Sequence, residues 1–219
     1  MTSYVLIPGA GGDASYWSRV VPLLEQAGHE AVAVDLPGPD PTAGLPDYAD
    51  LVAAAAAPFP SVVLVAQSLG GFTAPMAAER VPVDELVLVN AMVPVPGETP
   101  GEWWEATGSG PAREEAARSG GYGEFDVDTY FLHDVDLTGL TADSAREESD
   151  AVFGTRCEFT AWPQRVRVLA GADDRFFPVA FQKRVADERL DIVADVRPGG
   201  HLIALARPQD VADYLLANT

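Results

Sequence analysis

Short, continuous runs of apolar residues alternate with longer segments of helical periodicity along most of this 219-residue chain. The apolar runs are rich in Val and Leu and lie at 4–7, 31–34, 62–65, 85–89, 166–170 and about 191–196. Segments with apolar residues at helical spacing lie between or after them, at 16–26, 48–57, 69–80, 179–188 and 208–216. Strands that are buried on both faces of a parallel sheet give continuous apolar runs, and helices connect them. The pattern therefore predicts an α/β fold with a mostly parallel six-stranded sheet and helices on both faces.

The alternation of predicted strands and helices is interrupted between residues 92 and 164, where Gly, Pro and acidic residues are scattered among weak helical patterns at 114–118 and 142–148. An interval this long without strand signals is too long for an ordinary loop in a compact domain. It also carries a set of aromatic residues, namely Trp103, Trp104, Tyr130, Phe131 and Trp162. We therefore predict a mostly helical cap at 92–164, inserted into a core made of residues 1–91 and 165–219.

The chain is strongly acidic, with 33 Asp and Glu against 14 Lys and Arg and a formal net charge of -19. A nucleic-acid binder neutralises phosphates with Lys and Arg, so this balance argues against nucleic acid and against anionic membranes as partners. Cys157 is the single cysteine, which excludes an internal disulfide and favours a reducing compartment. The first residues show no basic segment followed by a long apolar one, so we expect a cytoplasmic protein.

A serine lies where the third predicted strand gives way to a helix. Residues 65–71 read Val-Ala-Gln-Ser-Leu-Gly-Gly, which matches the strand–serine–helix turn G-x-S-x-G with Ala66 in place of the first glycine. Such a turn lifts the hydroxyl above the sheet and directs the first N–H groups of the helix toward developing negative charge. The alternative is a serine that only caps the helix. The strand before it and the helix after it favour Ser68 as a nucleophile.

One histidine is placed to serve as the base for this serine. His201 follows the last predicted strand, in the sequence Pro-Gly-Gly-His-Leu at 198–202, at the sheet edge where open α/β folds bind ligands. His29 lies at a turn at the opposite edge, where we expect a structural role. His133 lies in the predicted cap, where we expect a surface residue, with contact to the substrate as the alternative.

Two aspartates, Asp173 and Asp174, follow the strand that precedes His201. Either can hold the imidazole in the required tautomer, while the other serves the turn or caps the helix. The chain order serine, aspartate, histidine is the order that accompanies the strand–serine–helix turn. These matches, each after a predicted strand, are more specific together than any one of them alone.

The first predicted strand ends in a glycine-rich loop, Pro-Gly-Ala-Gly-Gly at 8–12. An attacking serine needs two N–H donors for the oxyanion, and we assign them to Ala10 in this loop and to Leu69 after the serine. The competing interpretation is a dinucleotide-binding loop at 9–14, with Asp35 as the ribose-binding acid. That interpretation leaves the serine, the aspartates and the histidine without a role.

Together these residues resemble the α/β-hydrolase superfamily, and more narrowly its branch of small plant methylesterases and hydroxynitrile lyases. The resemblance covers nearly the whole chain, and it is carried by the Gly9–Ala10 turn with Trp17, residues 67–71, the segment Asp174–Pro178 and Gly200–His201. Aligning Pro178 with the proline that follows the acid in that family selects Asp174 over Asp173. The resemblance implies a Ser68–His201–Asp174 triad, with neither a metal ion nor an organic cofactor.

The chain departs from that branch at positions that bear on the reaction. Pro8 and Gln67 stand where the branch usually has histidine, and Gly9 and Leu202 stand where the lyases use threonine and lysine. These departures argue against cyanohydrin cleavage, and they weaken the expectation of methyl-ester specificity.

The predicted function is therefore that of a serine esterase that cleaves a small, apolar carboxylic ester through an acyl-enzyme intermediate. A thioester or an amide would follow the same route. Two alternatives stay open. One is a ligand-binding protein of the same fold that turns over slowly or not at all, and the other is lyase or cofactor-free peroxidase chemistry at the same site.

Overall fold

The computed structural model of the chain describes residues 1–138 and 146–217. Its strands are β1 (Ser3–Ile7), β2 (Glu30–Ala33), β3 (Val62–Gln67), β4 (Val83–Val89), β5 (Val166–Gly171) and β6 (Asp195–Arg197). Within the described residues they form one six-stranded sheet in the order β2-β1-β3-β4-β5-β6, and every neighbouring pair is parallel. The predicted α/β fold is confirmed, and the order places β3, which ends at the serine turn, in the middle of the sheet.

Helices cover both faces of this sheet. They are α1 (Val21–Gln26), α2 (Leu45–Ala56), α3 (Gly70–Ala78), α4 (Pro100–Thr107), α5 (Ser109–Gly120), α6 (Asp150–Phe153), α7 (Val179–Leu190), α8 (Ile203–Ala206) and α9 (Pro208–Leu216). Alternate residues of β3 enter two separate apolar layers. Leu64 and Ala66 pack with α2, α3 and α7, whereas Val63 and Val65 pack with α1, α8 and α9. Because both faces are buried, the strand sequence is apolar from Val62 to Ala66.

Two segments differ from the sequence prediction. The helix predicted at 16–26 is divided into a short 3-10 turn at Ala14–Trp17 and α1. The strand predicted at 191–196 is only the short, exposed β6, because Asp191 adopts a left-handed conformation with φ 56° that ends α7. Residues 191–194 therefore belong to the turn after α7.

We call residues 92–164 the cap segment. Its described residues contain α4, α5, a π-helical turn at Asp128–Leu132 and α6, and no strand. The helical pattern at 114–118 lies within α5. Of the helix predicted at 142–148, residues 142–145 lie outside the described part of the chain, and residues 146–148 have no regular secondary structure.

The cap segment is joined to the core by aromatic packing. Trp103 of α4 is fully buried, and its ring lies 5.3 Å from Phe177 and 5.7 Å from Phe181 between centroids. Its indole N–H donates to the carbonyl oxygen of Val93 at 3.1 Å. The helix α4 is therefore fixed to α7 and to the segment after β4. In the parts of the chain that the structure describes, no helix is both long and apolar enough to cross a bilayer.

The helix after the serine turn packs directly on the chain that follows β4. A Cβ atom on Gly71 would lie 1.9 Å from the carbonyl oxygen of Met92, so only glycine fits there. We expect Gly71→Ala to lower the free energy of unfolding by about 1–3 kcal/mol or more, because the helix must shift. Urea denaturation measures this. Gly110→Ala in α5 is the control, since nothing lies within 4 Å of its Cβ position; an equal loss there would contradict the steric explanation.

Candidate active site

Ser68 lies at the sharp turn between β3 and α3. Its φ is +49°, a left-handed conformation that is uncommon for a residue with a side chain and that is found at functional sites. The turn is fixed by its carbonyl oxygen, which accepts hydrogen bonds from the N–H groups of Met92 at 2.9 Å and Gly71 at 3.0 Å. Ala66, in place of the usual glycine, is fully buried in the core. The predicted strand–serine–helix turn is therefore present.

A chain of hydrogen bonds joins the serine to a histidine and an aspartate. The Ser68 Oγ lies 3.1 Å from Nε2 of His201, and Nδ1 of His201 lies 2.9 Å from Oδ2 of Asp174. Asp174 and His201 are 4% and 2% exposed. These partners assign the ring proton to Nδ1, so Nε2 carries no proton and can accept that of the serine.

The structure also distinguishes the two aspartates that follow β5. Asp174 Oδ1 accepts the N–H groups of Phe176 and Phe177, each at 2.8 Å, and its Oδ2 accepts from Gln182 Nε2 at 3.1 Å. Asp173 is exposed, and its Oδ2 instead accepts the N–H of Gly199 at 3.0 Å. Asp174 is therefore the residue that contacts His201, while Asp173 holds the loop before it.

Asn90 is part of this network, and the sequence analysis missed it. It follows β4, is fully buried and has φ +45°. Its Nδ2 donates to the carbonyl oxygens of Gly200 at 2.9 Å and His201 at 3.1 Å, and its Oδ1 accepts from Gly171 N–H at 2.6 Å. Asn90 thus joins the ends of β4 and β5 to the histidine loop. The available signal was a polar residue directly after an apolar strand.

Gln67 contacts the histidine from the serine side. Its Nε2 lies 3.2 Å from Nε2 of His201 and 3.4 Å from the carbonyl oxygen of the same residue. The amide oxygen of Gln67 lies against Gly9, where an added Cβ would come within 2.3 Å of it. The Gln67 side chain is therefore packed between His201 and the glycine-rich loop, which excludes a larger residue at Gly9.

The two N–H groups assigned to the oxyanion belong to residues that line the same cavity as Ser68. Ala10 and Leu69 both contact this cavity, and neither N–H has a hydrogen-bond acceptor among residues 1–138 and 146–217. The loop that carries Ala10 is fixed on both sides. Gly12 N–H donates to the Gly9 carbonyl at 3.1 Å, and the Gly12 carbonyl accepts from Leu36 N–H at 2.8 Å.

The residues that would bind a dinucleotide at the glycine-rich loop already have hydrogen-bond partners within the protein. Gly11 N–H donates to Glu148 Oε2 at 2.8 Å, and Asp35 accepts a hydrogen bond from Arg146 at 2.5 Å. Partial burial opposes the charged form of Asp35, but the hydrogen bonds from Arg146 and from the Ala14 N–H outweigh it and lower its pKa. A ribose-binding acid has to be free to accept from the ribose. The loop therefore does not fit dinucleotide binding.

The other two histidines lie outside the hydrogen-bonded chain. His29 accepts the Thr2 N–H at 3.1 Å at the amino edge of the sheet, in keeping with the predicted structural role. His133 was expected on the surface, and this was wrong. Its side chain is only 12% exposed, and it lies so close to Gly200 that a Cβ there would be 2.9 Å from its Nε2. His133 is therefore partly buried because this part of the cap segment packs against the histidine loop at Gly200.

A largely apolar cavity of about 500 Å³ opens onto Ser68 and His201. Its apolar wall comes from both the cap segment and the core, and includes Trp104, Val127, Phe131, Phe153, Phe176 and Leu205. The Phe131 and Phe176 rings lie 5.1 and 5.0 Å from the imidazole of His201 between centroids. Arg146 lines the same cavity. Such a volume accommodates a small organic molecule.

The model of the alpha/beta hydrolase family matches residues 4–214, which is nearly the whole chain. The chain belongs to the alpha/beta hydrolase family. This match agrees with the sheet order and with the serine turn described above. The resemblance predicted from the sequence is therefore confirmed at the level of the superfamily.

Relatives within the family confirm the narrower resemblance as well. The chain is 38% identical over 108 residues to "Probable esterase PIR7A" of Oryza sativa subsp. indica, an alignment that covers 43% of the chain and 41% of that protein. It is 26% identical over 251 residues to Methylesterase 9 of Arabidopsis thaliana, covering 99% of the chain and 97% of the relative. Among solved structures, a pyrethroid hydrolase of Sphingobium faniae JZ-2 superposes with a TM-score of 0.78 at 22% identity, covering 99% and 96% of the two chains, which supports the fold.

Proposed function

We propose that this alpha/beta hydrolase is a serine esterase that cleaves a small, apolar carboxylic ester. The observation that carries the proposal is the buried chain from Ser68 Oγ through His201 to Asp174, with bonds of 3.1 and 2.9 Å. The esterase and methylesterase names of its relatives support the same reaction class.

In the proposed reaction Ser68 Oγ attacks the ester carbonyl while His201 Nε2 takes its proton. Asp174 stabilises the imidazolium that forms, and the N–H groups of Ala10 and Leu69 bind the oxyanion of the tetrahedral intermediate. Collapse of this intermediate breaks the bond to the alkoxy group, which takes the proton from His201 and leaves as the alcohol. Water, deprotonated by His201, then attacks the acyl-enzyme, and the carboxylic acid departs as Ser68 regains its proton. The reaction uses neither a metal ion nor an organic cofactor.

The apolar wall of the cavity supports an uncharged substrate. Burial of an apolar acyl or alcohol group against Phe131, Phe153 and Phe176 is favourable by about 25 cal/mol per Å². A charged group placed among these rings would lose its hydration, and the guanidinium of Arg146, which also lines the cavity, is already paired with Asp35 at 2.5 Å. We therefore expect short-chain to medium-chain or aromatic esters to be better substrates than charged ones.

The lyase alternative is disfavoured by the residues around the serine. Leu202 lines the cavity at the position where the related lyases use lysine, and Lys183 is the only lysine of the chain. Lys183 borders a different surface depression, near Ile192 and Ala194. A threonine at Gly9 would collide with the Gln67 amide. Hydrolysis needs neither of these side chains.

Active-site labelling tests the proposal. A fluorophosphonate probe should modify the native protein on Ser68, as read by peptide mass spectrometry, and should not modify heat-denatured protein. A series of p-nitrophenyl esters from acetate to laurate should then show saturable turnover with a clear optimum of acyl length. Absence of the Ser68 adduct overturns the esterase proposal. An adduct together with background rates across the whole series would favour the ligand-binding alternative.

A further inference from the structure

A short stretch of the cap segment lies across the glycine-rich loop. We call residues 146–149 the strap. Its Glu148 Oε2 accepts the N–H of Gly11 at 2.8 Å, and a Cβ added to Gly11 would lie 2.3 Å from the carbonyl oxygen of Arg146. Gly11 has φ +85°, a conformation that suits glycine. The strap and the loop are therefore in direct contact through side chain and backbone.

The strap is tied to the core as well as to the loop. Tyr48 of α2, which is 1% exposed, donates its hydroxyl to Glu148 Oε1 at 2.5 Å. The N–H of Ser149 donates to the carbonyl oxygen of Gly38 at 2.8 Å. Arg146 forms an ion pair with Asp35 at 2.5 Å. These contacts hold the Glu148 carboxylate in one place between α2 and the glycine-rich loop.

Burial makes this carboxylate costly to keep ionised. Desolvation raises the pKa of Glu148, although the hydrogen bonds from the Tyr48 hydroxyl and the Gly11 N–H work in the opposite direction. A buried carboxylate is tolerated when its oxygens are hydrogen-bonded, and here each oxygen has a donor. We therefore expect Glu148 to matter because its hydrogen bonds fix the positions of its partners, and not because it forms a favourable ion pair.

The hydrogen bond to Gly11 bears on the neighbouring donor. Gly11 N–H belongs to the peptide unit that follows Ala10, so fixing that unit restricts rotation about ψ of Ala10. The other side of the loop is fixed by the bond from Gly12 N–H to the Gly9 carbonyl. Between these two points the Ala10 N–H has little freedom to turn away from the cavity. Donors that are held in place before the reaction stabilise an oxyanion more than mobile ones do.

We propose that Glu148 is a positioning residue that holds the glycine-rich loop so that the Ala10 N–H faces the oxyanion, which couples the seating of the cap segment to the rate of reaction. This inference rests on the proposed esterase function. Glu148 lies outside the reacting atoms, so its effect is on the transition state through Ala10 and not on substrate binding.

Three variants test this role: Glu148→Ala, Glu148→Gln and Glu147→Ala, the last at an exposed neighbouring glutamate. Loss of an oxyanion donor costs about 10²–10³ in rate, so a misdirected donor should cost less. We expect Glu148→Ala to lower kcat by about 10–100-fold with KM changed less than about threefold. Glu148→Gln can accept from Gly11 and donate to Tyr48, so it should keep most of the activity. Glu147→Ala should behave like the wild type.

The affinity for a transition-state analogue distinguishes a misplaced oxyanion donor from a general distortion of the active site. A trifluoromethyl ketone adds to Ser68 and places its oxyanion between Ala10 and Leu69, so its affinity should fall in Glu148→Ala by the same factor as kcat. Binding of the matching alcohol, which has no oxyanion, should not change. Unchanged kcat in Glu148→Ala overturns the inference, and so does an equal loss of affinity for ketone and alcohol.

Further measurements distinguish three outcomes: a variant that does not fold, a protein that is not an esterase, and an esterase in which Glu148 has no positioning role. Thermal unfolding identifies a variant that does not fold; Glu148→Asp then replaces Glu148→Ala, since its side chain is one methylene too short to reach Gly11, and the same loss is expected. A wild-type protein without turnover or Ser68 labelling refutes the esterase function itself. If the wild type turns over and the Glu148 variants have the same kcat, only the positioning role of Glu148 is refuted.

Discussion

Ser68→Ala is expected to lower kcat for the best p-nitrophenyl ester by about four to six orders of magnitude, because in the proposed reaction the variant has no nucleophile to form the acyl-enzyme. Residual activity would come from the oxyanion donors and from binding, which by themselves accelerate such reactions over water by about 10³–10⁴. KM should change little, since the hydroxyl contributes little to the apolar cavity. Steady-state kinetics and fluorophosphonate labelling measure the two effects independently.

The variant should fold, so loss of activity can be assigned to chemistry. The left-handed conformation at Ser68 is fixed by backbone hydrogen bonds to its carbonyl oxygen, which alanine retains. Ser119→Ala, at an exposed serine of α5, is a suitable control and should keep wild-type activity. Retention of more than about one hundredth of kcat in Ser68→Ala would mean that another group attacks the ester, and the assignment of the nucleophile would be wrong.

The sheet could be predicted because its signal is local and repeated. β1, β3 and most of β4 and β5 are buried on both faces, so each appears as a separate apolar run, and the order of Ser68, Asp174 and His201 follows from the strand ends. The weakest strand prediction was β6, whose residues are exposed on both faces and carry no apolar run. Its position depends on the left-handed turn at Asp191, which the sequence does not mark with a glycine.

The supporting contacts of the site could not be predicted, because they join residues far apart in the chain. Asn90 contacts Gly200 across 110 positions, and Glu148 contacts Gly11 across 137. Neither Asn90 nor Glu148 belongs to a local sequence motif that identifies its partner. A polar residue at a strand end or in an irregular stretch is compatible with many partners, and only the folded chain selects among them. The burial of His133 has the same origin, since it depends on how the cap segment lies over the core.

Replacement of Asp174 is expected to have the second large effect on kcat, and it tests the tautomer of His201. We expect Asp174→Asn to lower kcat by about 10⁴-fold, as the same change does in a serine protease of unrelated fold. The N–H groups of Phe176 and Phe177 both point at Oδ1, so the carbonyl oxygen of an asparagine has to remain there. Its NH₂ group then occupies the position of Oδ2 and faces His201 Nδ1.

A donor at that position reverses the roles of the imidazole nitrogens. His201 Nδ1 has to accept from the new NH₂ group, so the ring proton moves to Nε2, which can no longer take the proton of Ser68. Rotation of the Gln182 amide cannot restore the arrangement, because its Nε2 is also bonded to the Phe177 carbonyl at 2.7 Å. Asp173→Asn is the matched control: its amide oxygen can still accept from Gly199, and its activity should stay within about tenfold of the wild type. Equal losses in the two variants would indicate damage to the loop, whereas a loss confined to Asp174→Asn identifies the histidine tautomer as the cause.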